Sequence, residues 1–195
     1  EEKAADMTHA QIGILGAGAM GRGIAVAALL AKKGALVYEI SHEGRDHAWA
    51  VVERTLAGLV EKEKITASDR DAVLSAFELT GEISGLAGMT FVIEAVPESM
   101  DLKRKLFREL SEICGDDAVL ASNTSSLSIT ALSACVRNPA RVVGMHFFNP
   151  AHLMKLVEVV SGRYTGPDVK DEAIQLAREL GKTPVEVRDS PGFIV

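Results

Sequence analysis

The stretch that decides the fold is Gln11-Ile12-Gly13-Ile14-Leu15-Gly16-Ala17-Gly18-Ala19-Met20-Gly21. Its apolar first half, residues 11–15, predicts a short buried strand, and the alanine-rich stretch 19–33 predicts a helix. In such a strand–turn–helix, Gly16 allows the tight bend, Gly18 lets a pyrophosphate approach the backbone, and Gly21 lets the helix pack on the strand. The free N–H groups of the helix then face the phosphates. The stretch predicts a dinucleotide site; the alternative is the same turn without a ligand.

A second apolar run, residues 35–38, ends in Glu39. A carboxylate at the end of the second strand accepts hydrogen bonds from both hydroxyls of the adenosine ribose and repels a 2′-phosphate. The next basic residue along the chain is Arg45. The sequence therefore favours NAD over NADP, the alternative being a glutamate without a ligand.

Composition limits the classes of function. The chain has 195 residues, 47% of them apolar, and a net charge of −6. The acidic balance argues against nucleic-acid binding, and no apolar stretch approaches the ~20 residues of a membrane span. The isolated Cys114 and Cys135 form neither a metal-ligand nor a redox pattern. We expect a cytoplasmic protein without a bound metal.

Predicted strands and helices alternate along most of the chain. The predicted strands are 11–15, 35–38, 77–80, 90–94, 118–121, 141–146, 156–160 and 183–188, and the helices are 19–33, 42–62, one restarting at 65–69, 100–114 and 168–180. Thr66 and Ser68 are candidate N-caps of the third helix, and Gly181 is the expected residue after the end of the last. The pattern predicts an α/β fold, with a doubly wound, mostly parallel sheet and helices on both faces.

The two ends of the chain stand apart from this pattern. Residues 1–10 are acidic, lack the apolar core of a signal peptide, and are predicted to be a leader or a remnant. Residues 11–195 are predicted to form one domain. Because residues 189–195 stop within an apolar run, we expect the chain to be cut from a longer protein.

Three features of the second half suggest chemistry. Hydroxyl and amide side chains in residues 122–126 follow a predicted strand, at the edge where doubly wound folds bind ligands; helix capping is the alternative. His146 ends another strand, and its ordinary pKa near ~6.5 suits proton transfer around neutrality. Glu158 interrupts an apolar strand, where a buried carboxylate needs a partner. A histidine is the natural partner, unless Glu158 faces solvent on an edge strand.

The chain resembles the L-3-hydroxyacyl-CoA dehydrogenases from about residue 11 to residue 195. The motifs that carry the resemblance are those at 16–21, 93–98, 122–127, 144–150, 155–159 and 189–195. The resemblance implies a Rossmann-type NAD-binding domain and oxidation of a (3S)-3-hydroxyacyl-CoA to the 3-ketoacyl-CoA.

The resemblance also implies roles for individual residues. His146 is the catalytic base, Glu158 orients it, and Ser125 bonds the substrate oxygen. Asn149 belongs to the substrate site. The residues implied to bind the cofactor are Gly16, Gly18, Ala19, Met20, Gly21, Glu39, Ala95, Glu98, Lys103 and Asn123.

In the resembling proteins an all-helical domain follows, completes the acyl pocket and forms a homodimer interface. This chain ends before that domain would begin. The hypothesis is a domain that binds NAD but is poorly active alone.

Two alternatives stay open. One is a related dehydrogenase of a sugar acid such as gulonate, and the other is a non-catalytic NAD-binding structural protein. The site for the CoA end is open as well, because Arg45, Arg54, Lys62 and Lys64 suit either an ADP phosphate or a solvated helix face.

Overall fold

The computed structural model describes residues 11–190 and 192–193, so the predicted leader at 1–10 and part of the closing motif lie outside the described residues. The strands are β1 (Ile12–Leu15), β2 (Ala35–Tyr38), β3 (Phe77–Thr80), β4 (Phe91–Glu94), β5 (Val119–Ser122), β6 (Val142–Phe147), β7 (Leu156–Ser161) and β8 (Thr183–Arg188). The α-helices are α1 (Ala19–Leu30), α2 (His42–Glu61), α3 (Ala67–Leu74), α4 (Met100–Ile113), α5 (Ile129–Ser133) and α6 (Pro167–Glu179). Short 3-10 turns occupy Ile83–Leu86 and Pro139–Arg141.

The eight strands form one sheet in the order β3-β2-β1-β4-β5-β6-β7-β8. All neighbouring pairs are parallel except β6 and β7, which are antiparallel. The chain order reverses between β1 and β4, the switch point at which doubly wound sheets bind ligands. The predicted α/β fold with a mostly parallel sheet is confirmed.

Helices cover both faces of the sheet because the strands alternate their apolar side chains between two clusters. On one face Ile14 and Val143 pack with side chains of α1, α2 and α6. On the other face Leu15 and Val142 pack with side chains of α4 and α5. Burial on both faces explains the near-continuous apolar character of the strands.

The glycine turn joins β1 to α1 in a geometry that other residues would not tolerate. Gly16 has φ +101°, a left-handed conformation that L side chains rarely adopt. A Cβ on Gly21 would lie 1.9 Å from the Gly16 carbonyl oxygen, so the first turn of α1 can approach β1 only with glycine there.

Helix ends differ from the predictions in identifiable ways. The first helix ends at Leu30 and not at residue 33, and Lys32 follows with φ 58°. Of the two candidate N-caps for α3, Thr66 is the cap, because its side chain and that of Asp69 form a capping box. The cap of α5 is Ser128, whose hydroxyl accepts from the Ala131 N–H, and not a residue of 122–126.

The position of β7 excludes the solvent-facing alternative for Glu158. Strand β7 lies between β6 and β8 inside the sheet, and Glu158 is only 1% exposed. The carboxylate is therefore buried and held by partners.

Candidate active site

The first part of the site is the N-terminus of α1, which opens at the carboxyl edge of β1. Its N-cap, Gly18, makes no side-chain cap bond, and the first turn contains no acidic residue. A Cβ on Gly18 would meet nothing within 4 Å, so the space before these N–H groups is open. A helix end with free donors and room before it fits the phosphates of a dinucleotide.

The carboxylate of Glu39 faces this turn from the end of β2. One of its oxygens accepts from the Ala17 N–H at 3.3 Å and the other from the Ser41 N–H at 3.1 Å. A Cβ on Gly44 would lie 2.8 Å from the Glu39 Cγ, so a glycine early in α2 leaves room for the glutamate. The predicted ribose acceptor is thus fixed beside the glycine turn.

An open cleft of about 350 Å³ runs along the carboxyl ends of β4, β5 and β6. Most of the predicted site residues line it, apart from the glycines of the turn and Glu39. These are Met20, Ala95, Glu98, Lys103, Asn123, Ser125, His146 and Asn149. Val96, Phe147 and Phe148 complete the lining. Glu158 lies behind His146, and Ala19 lines a smaller neighbouring cavity.

A buried ionic network supports the floor of the cleft. The Lys103 ammonium, 1% exposed, donates to Glu94 Oε1 at 2.6 Å and to the Val96 carbonyl at 3.3 Å, and it lies 3.3 Å from Glu98 Oε2. Glu94, also buried, accepts from the Ser122 hydroxyl at 2.7 Å. Three acceptors satisfy the three donors of an ammonium. A direct cofactor contact by Lys103 stays a prediction; its observed contacts hold the two glutamates.

Glu98 connects this network to the segment that carries Ser125. Its Oε1 accepts from the Thr124 hydroxyl and from the Ser125 N–H at 3.2 Å. Burial raises the pKa of Glu98, but the bond from Thr124 and the charge of Lys103 outweigh it, so the pKa lies below its ordinary value. An ionised Glu98 therefore fixes the backbone at Ser125.

His146 and Glu158 form a dyad, and strand register produces it. The two residues are directly opposed across the antiparallel pair β6–β7, so their side chains share one face of the sheet. His146 Nδ1 lies 2.7 Å from Glu158 Oε2. Because a carboxylate only accepts, Nδ1 carries the proton, and the lone pair of Nε2 is left free to act as a base.

Aromatic rings and an amide fix the surroundings of His146. Its ring centroid lies 4.4 Å from that of Phe148 and 6.0 Å from that of Phe193. Asn123 Oδ1 accepts from the Phe147 N–H at 2.8 Å and so ties the end of β5 to the end of β6. The imidazole is 13% exposed and enters the cleft from a fixed strand end.

Sequence reasoning missed Glu94 and Phe193. Glu94 ends an apolar strand, so the cost of burying a carboxylate, the same signal that singled out Glu158, indicates a partner for it as well. The contact of Phe193 with His146 has no such signal, because it depends on where the chain returns after β8.

The described residues also contain a groove larger than the cleft, but it does not lie where an α/β sheet of this kind binds its ligands. This groove, of about 500 Å³ at the amino-terminal edge of the sheet, is lined by residues such as Gln11, Asp117 and Glu172. Ligands of open α/β sheets bind at the opposite, carboxyl edge. Within residues 11–190 and 192–193, no three His, Cys, Asp or Glu side chains are grouped to hold a metal. Over the same residues, no helix is both long and apolar enough to cross a membrane.

The sequence matches the family described as 3-hydroxyacyl-CoA dehydrogenase, NAD binding domain, over residues 11–190. It is 41% identical over 184 residues to a 3-hydroxyadipyl-CoA dehydrogenase of Escherichia coli, and the aligned segment covers 94% of this chain and 39% of that protein. It is 37% identical over 185 residues to a 3-hydroxybutyryl-CoA dehydrogenase of Clostridioides difficile, which covers 95% of this chain and 66% of that protein. The chain thus spans less than two thirds of the length of each.

Solved structures resemble the fold closely. The crystal structure of a 3-hydroxybutyryl-CoA dehydrogenase from Escherichia coli superposes with a TM-score of 0.93 at 40% identity, covering 95% of this chain and 39% of that one. That of an (S)-3-hydroxybutyryl-CoA dehydrogenase from Ralstonia eutropha gives a TM-score of 0.92 at 38% identity, covering 95% of this chain and 65% of that one.

Proposed function

Because the chain belongs to the family of NAD-binding domains of 3-hydroxyacyl-CoA dehydrogenases, we propose that it oxidises a (3S)-3-hydroxyacyl-CoA to the 3-ketoacyl-CoA. The observation that carries the proposal is the 2.7 Å contact of Glu158 with His146 Nδ1, which leaves Nε2 as a base at a cleft beside the glycine turn.

The residues present fit NAD. Gly16, Gly18 and Gly21, with the N-terminus of α1, would receive the pyrophosphate, and Glu39 would accept from the adenosine ribose. Along the cleft, Met20, Ala95, Glu98 and Asn123 would lie toward the nicotinamide end. When bound, NAD supplies the acceptor for the hydride that leaves C3 of the substrate.

His146 removes the proton from the C3 hydroxyl. Its Nε2 takes the proton as the C3–H bond breaks and the carbon–oxygen double bond forms, which leaves a ketone and an imidazolium. The buried Glu158 carboxylate stabilises that imidazolium and keeps the ring in the productive tautomer.

Ser125 and Asn149 position the substrate. The backbone N–H of Ser125 is engaged by Glu98, so its hydroxyl sits on a fixed turn and can bond the substrate oxygen as charge develops there. Asn149 lies at the end of the cleft beside His146, where it can contact the acyl-CoA.

The proposal extends to assembly and location. By the family pattern, the full-length protein is a homodimer formed through an all-helical domain, and it works in the cytoplasm on a soluble acyl-CoA. Light scattering on the full-length protein tests the dimer, and a monomer at micromolar concentration would contradict it.

The central test is His146→Ala in the full-length protein. Loss of the general base is expected to lower turnover of 3-hydroxybutyryl-CoA by ~10²–10⁴-fold. Calorimetry should show unchanged NAD affinity, because the groups that would hold the pyrophosphate and the adenosine ribose do not include His146. The matched control is His47→Ala on the exposed side of α2, which should behave as wild type. Unchanged turnover in His146→Ala would remove this residue from the mechanism.

A further inference from the structure

Arg22 lies in the first turn of α1, directly after the glycine motif, and the proposed mechanism gives it no role. We propose that Arg22 binds an anionic oxygen group, phosphate or carboxylate, of the acyl-CoA substrate. The inference rests on the proposed function, and it adds a binding residue to that function.

The Arg22 side chain is only partly satisfied by the protein. Its Nη1 donates to the Ala17 carbonyl at 2.7 Å, which fixes the side chain against the turn. Its Nε is buried and has no hydrogen-bond partner. Among residues 11–190 and 192–193, no carboxylate lies within 4.0 Å of this guanidinium.

Arg141 provides the comparison within the same molecule. Its Nε is also buried without a partner, but its guanidinium pairs with Asp168 at 3.0 Å and with Glu172 at 3.1 Å. The charge of Arg141 is therefore compensated inside the protein, whereas that of Arg22 is left for a ligand. A partly buried cation without a counter-ion is costly, so an arriving anion gains an unusually favourable contact.

Arg22 faces a cavity of about 120 Å³ between α1, α2 and the segment after β6. The polar side chains of Thr55, Asn149 and His152 line it together with Arg22, and no acidic side chain does. The Thr55 hydroxyl donates to the Val51 carbonyl at 2.7 Å, so only its lone pairs face a ligand. Burial and the nearby charge of Lys182 lower the pKa of His152, which keeps that ring neutral. The positive charge of this cavity lining comes from Arg22.

The cavity adjoins the cleft that holds His146, because Asn149 lines both. A ligand whose reacting carbon lies beside His146 can therefore extend past Asn149 toward Arg22. Acyl-CoA molecules are polyanions, and a dicarboxylic acyl chain adds a further charge at its far end. The guanidinium fork suits either group, because it binds phosphates and carboxylates through two parallel N–H bonds.

The test measures CoA binding to Arg22→Gln by calorimetry at saturating NAD. If Arg22 binds a phosphate of CoA, the affinity for CoA should fall about 10-fold or more, the usual scale for a bond to a charged group. The charge-retaining Arg22→Lys should lose less. The control is Arg178→Gln on the exposed face of α6, which should bind as wild type. The affinity for NAD in the absence of CoA should not change in any variant.

Substrate pairs identify which anion Arg22 binds. If it binds a CoA phosphate, Arg22→Gln will lower kcat/KM for 3-hydroxybutyryl-CoA and 3-hydroxyadipyl-CoA equally, and 3′-dephospho-CoA will show whether the 3′-phosphate is the partner. If it binds the distal carboxylate, the affinity of Arg22→Gln for CoA will equal that of wild type, and kcat/KM will fall only for 3-hydroxyadipyl-CoA.

Three results would count against these ideas, and they are distinguishable. Wild-type affinities and kcat/KM in Arg22→Gln would overturn the role of Arg22 alone. An equal fall in NAD affinity would overturn it too, because it would assign Arg22 to the cofactor. A wild-type protein that binds NAD but neither CoA nor acyl-CoA would contradict the proposed function itself.

Discussion

At the scale of single residues, the dyad pairs a base that reaches the cleft, His146, with a buried acid, Glu158. His146 reaches the cleft with 13% of its side chain exposed, whereas Glu158 is 1% exposed. A buried carboxylate in contact with an imidazole stabilises the charged ring more than a solvated one, because little water screens the contact. The residue that makes the base effective is thus shielded from solvent.

Glu158→Gln tests this support without removing volume. The amide carries no charge to stabilise the imidazolium, and its NH₂ can donate to Nδ1 and so select the unproductive tautomer. We expect turnover to fall about 10²–10⁴-fold with unchanged NAD affinity.

Glu186→Gln is the matched control for that substitution, because Glu186 lies on the neighbouring strand β8 but is exposed and pairs with Lys170. It should keep full turnover. Full turnover in Glu158→Gln as well would mean that the base needs no buried carboxylate.

The sequence could predict those site residues whose role is indicated by their own strand, but not those whose role depends on contact with a distant segment. The position of His146 at a strand end predicted a base, that of Glu158 within an apolar strand predicted an acid in need of a partner, and the structure brings the two together. The apolar strand β4 indicates that Glu94 needs a partner, but no local pattern identifies that partner as Lys103 of α4. The cavity at Arg22 depends on a segment more than a hundred residues further along the chain.

At the scale of elements, the glycine turn and α2 show two opposite uses of glycine. Gly21 is required by close contact, since its Cβ would lie 1.9 Å from the Gly16 carbonyl oxygen. Gly58 lies inside α2, and a Cβ there would meet nothing within 4 Å. Gly21 therefore permits close packing. Gly58 makes no such contact, and its only effect is to raise the conformational entropy of the unfolded chain.

These glycines predict opposite effects of the same substitution. Gly21→Ala should lower the free energy of unfolding by about 1–3 kcal/mol and weaken NAD binding, because the turn must move. Gly58→Ala should raise the free energy of unfolding by about 0.5–1 kcal/mol and leave NAD binding unchanged. Urea unfolding and calorimetry measure both quantities. A Gly21→Ala protein as stable as wild type would contradict the close contact.

The elements themselves were largely predictable because strands and helices differ in period and composition. All eight predicted strands are present within one residue at either end. The antiparallel direction of β7 was not predicted, since an apolar run reads the same in both directions. The short α5 was anticipated only in the capping alternative for residues 122–126, because its five residues are too few for a helical period.

At the scale of the whole molecule, hydrogen-bonded acids link distant parts of the fold. The Asp189 carboxylate, just after β8, accepts from Ser128 Oγ at 2.8 Å and from the Ile129 and Thr130 N–H groups at 3.1 and 2.8 Å. Burial raises its pKa, but these bonds outweigh burial and leave the pKa below its ordinary value. The pKa of Glu98 is lowered in the same way.

Lowered carboxylate pKa values predict a loss of stability in acid. A group whose folded pKa lies below its unfolded value stabilises the fold above the unfolded pKa, and this contribution disappears as the pH falls through the folded pKa. The free energy of unfolding should therefore fall as the pH drops below about 4.5. Urea unfolding between pH 7 and pH 3 measures it.

Asp189→Asn separates this effect from general acid sensitivity. The variant should be less stable at pH 7 and should lose less on acidification, because the titrating group is gone. An acid loss as steep as that of wild type would show that Asp189 contributes nothing to it.

Because β6 and β7 pair in antiparallel register, the proposed chemistry depends on which face of the sheet each side chain occupies. Side chains alternate between the two faces of a sheet along each strand, and His146 and Glu158 meet because both lie on the same face. The connection at 148–155 can change length without altering that count, whereas one residue gained or lost between the start of β7 and Glu158 turns the acid to the opposite face. Insertions and deletions in this region are therefore divided by their exact position into changes that preserve the contact between His146 and Glu158 and changes that break it, even where the fold survives both.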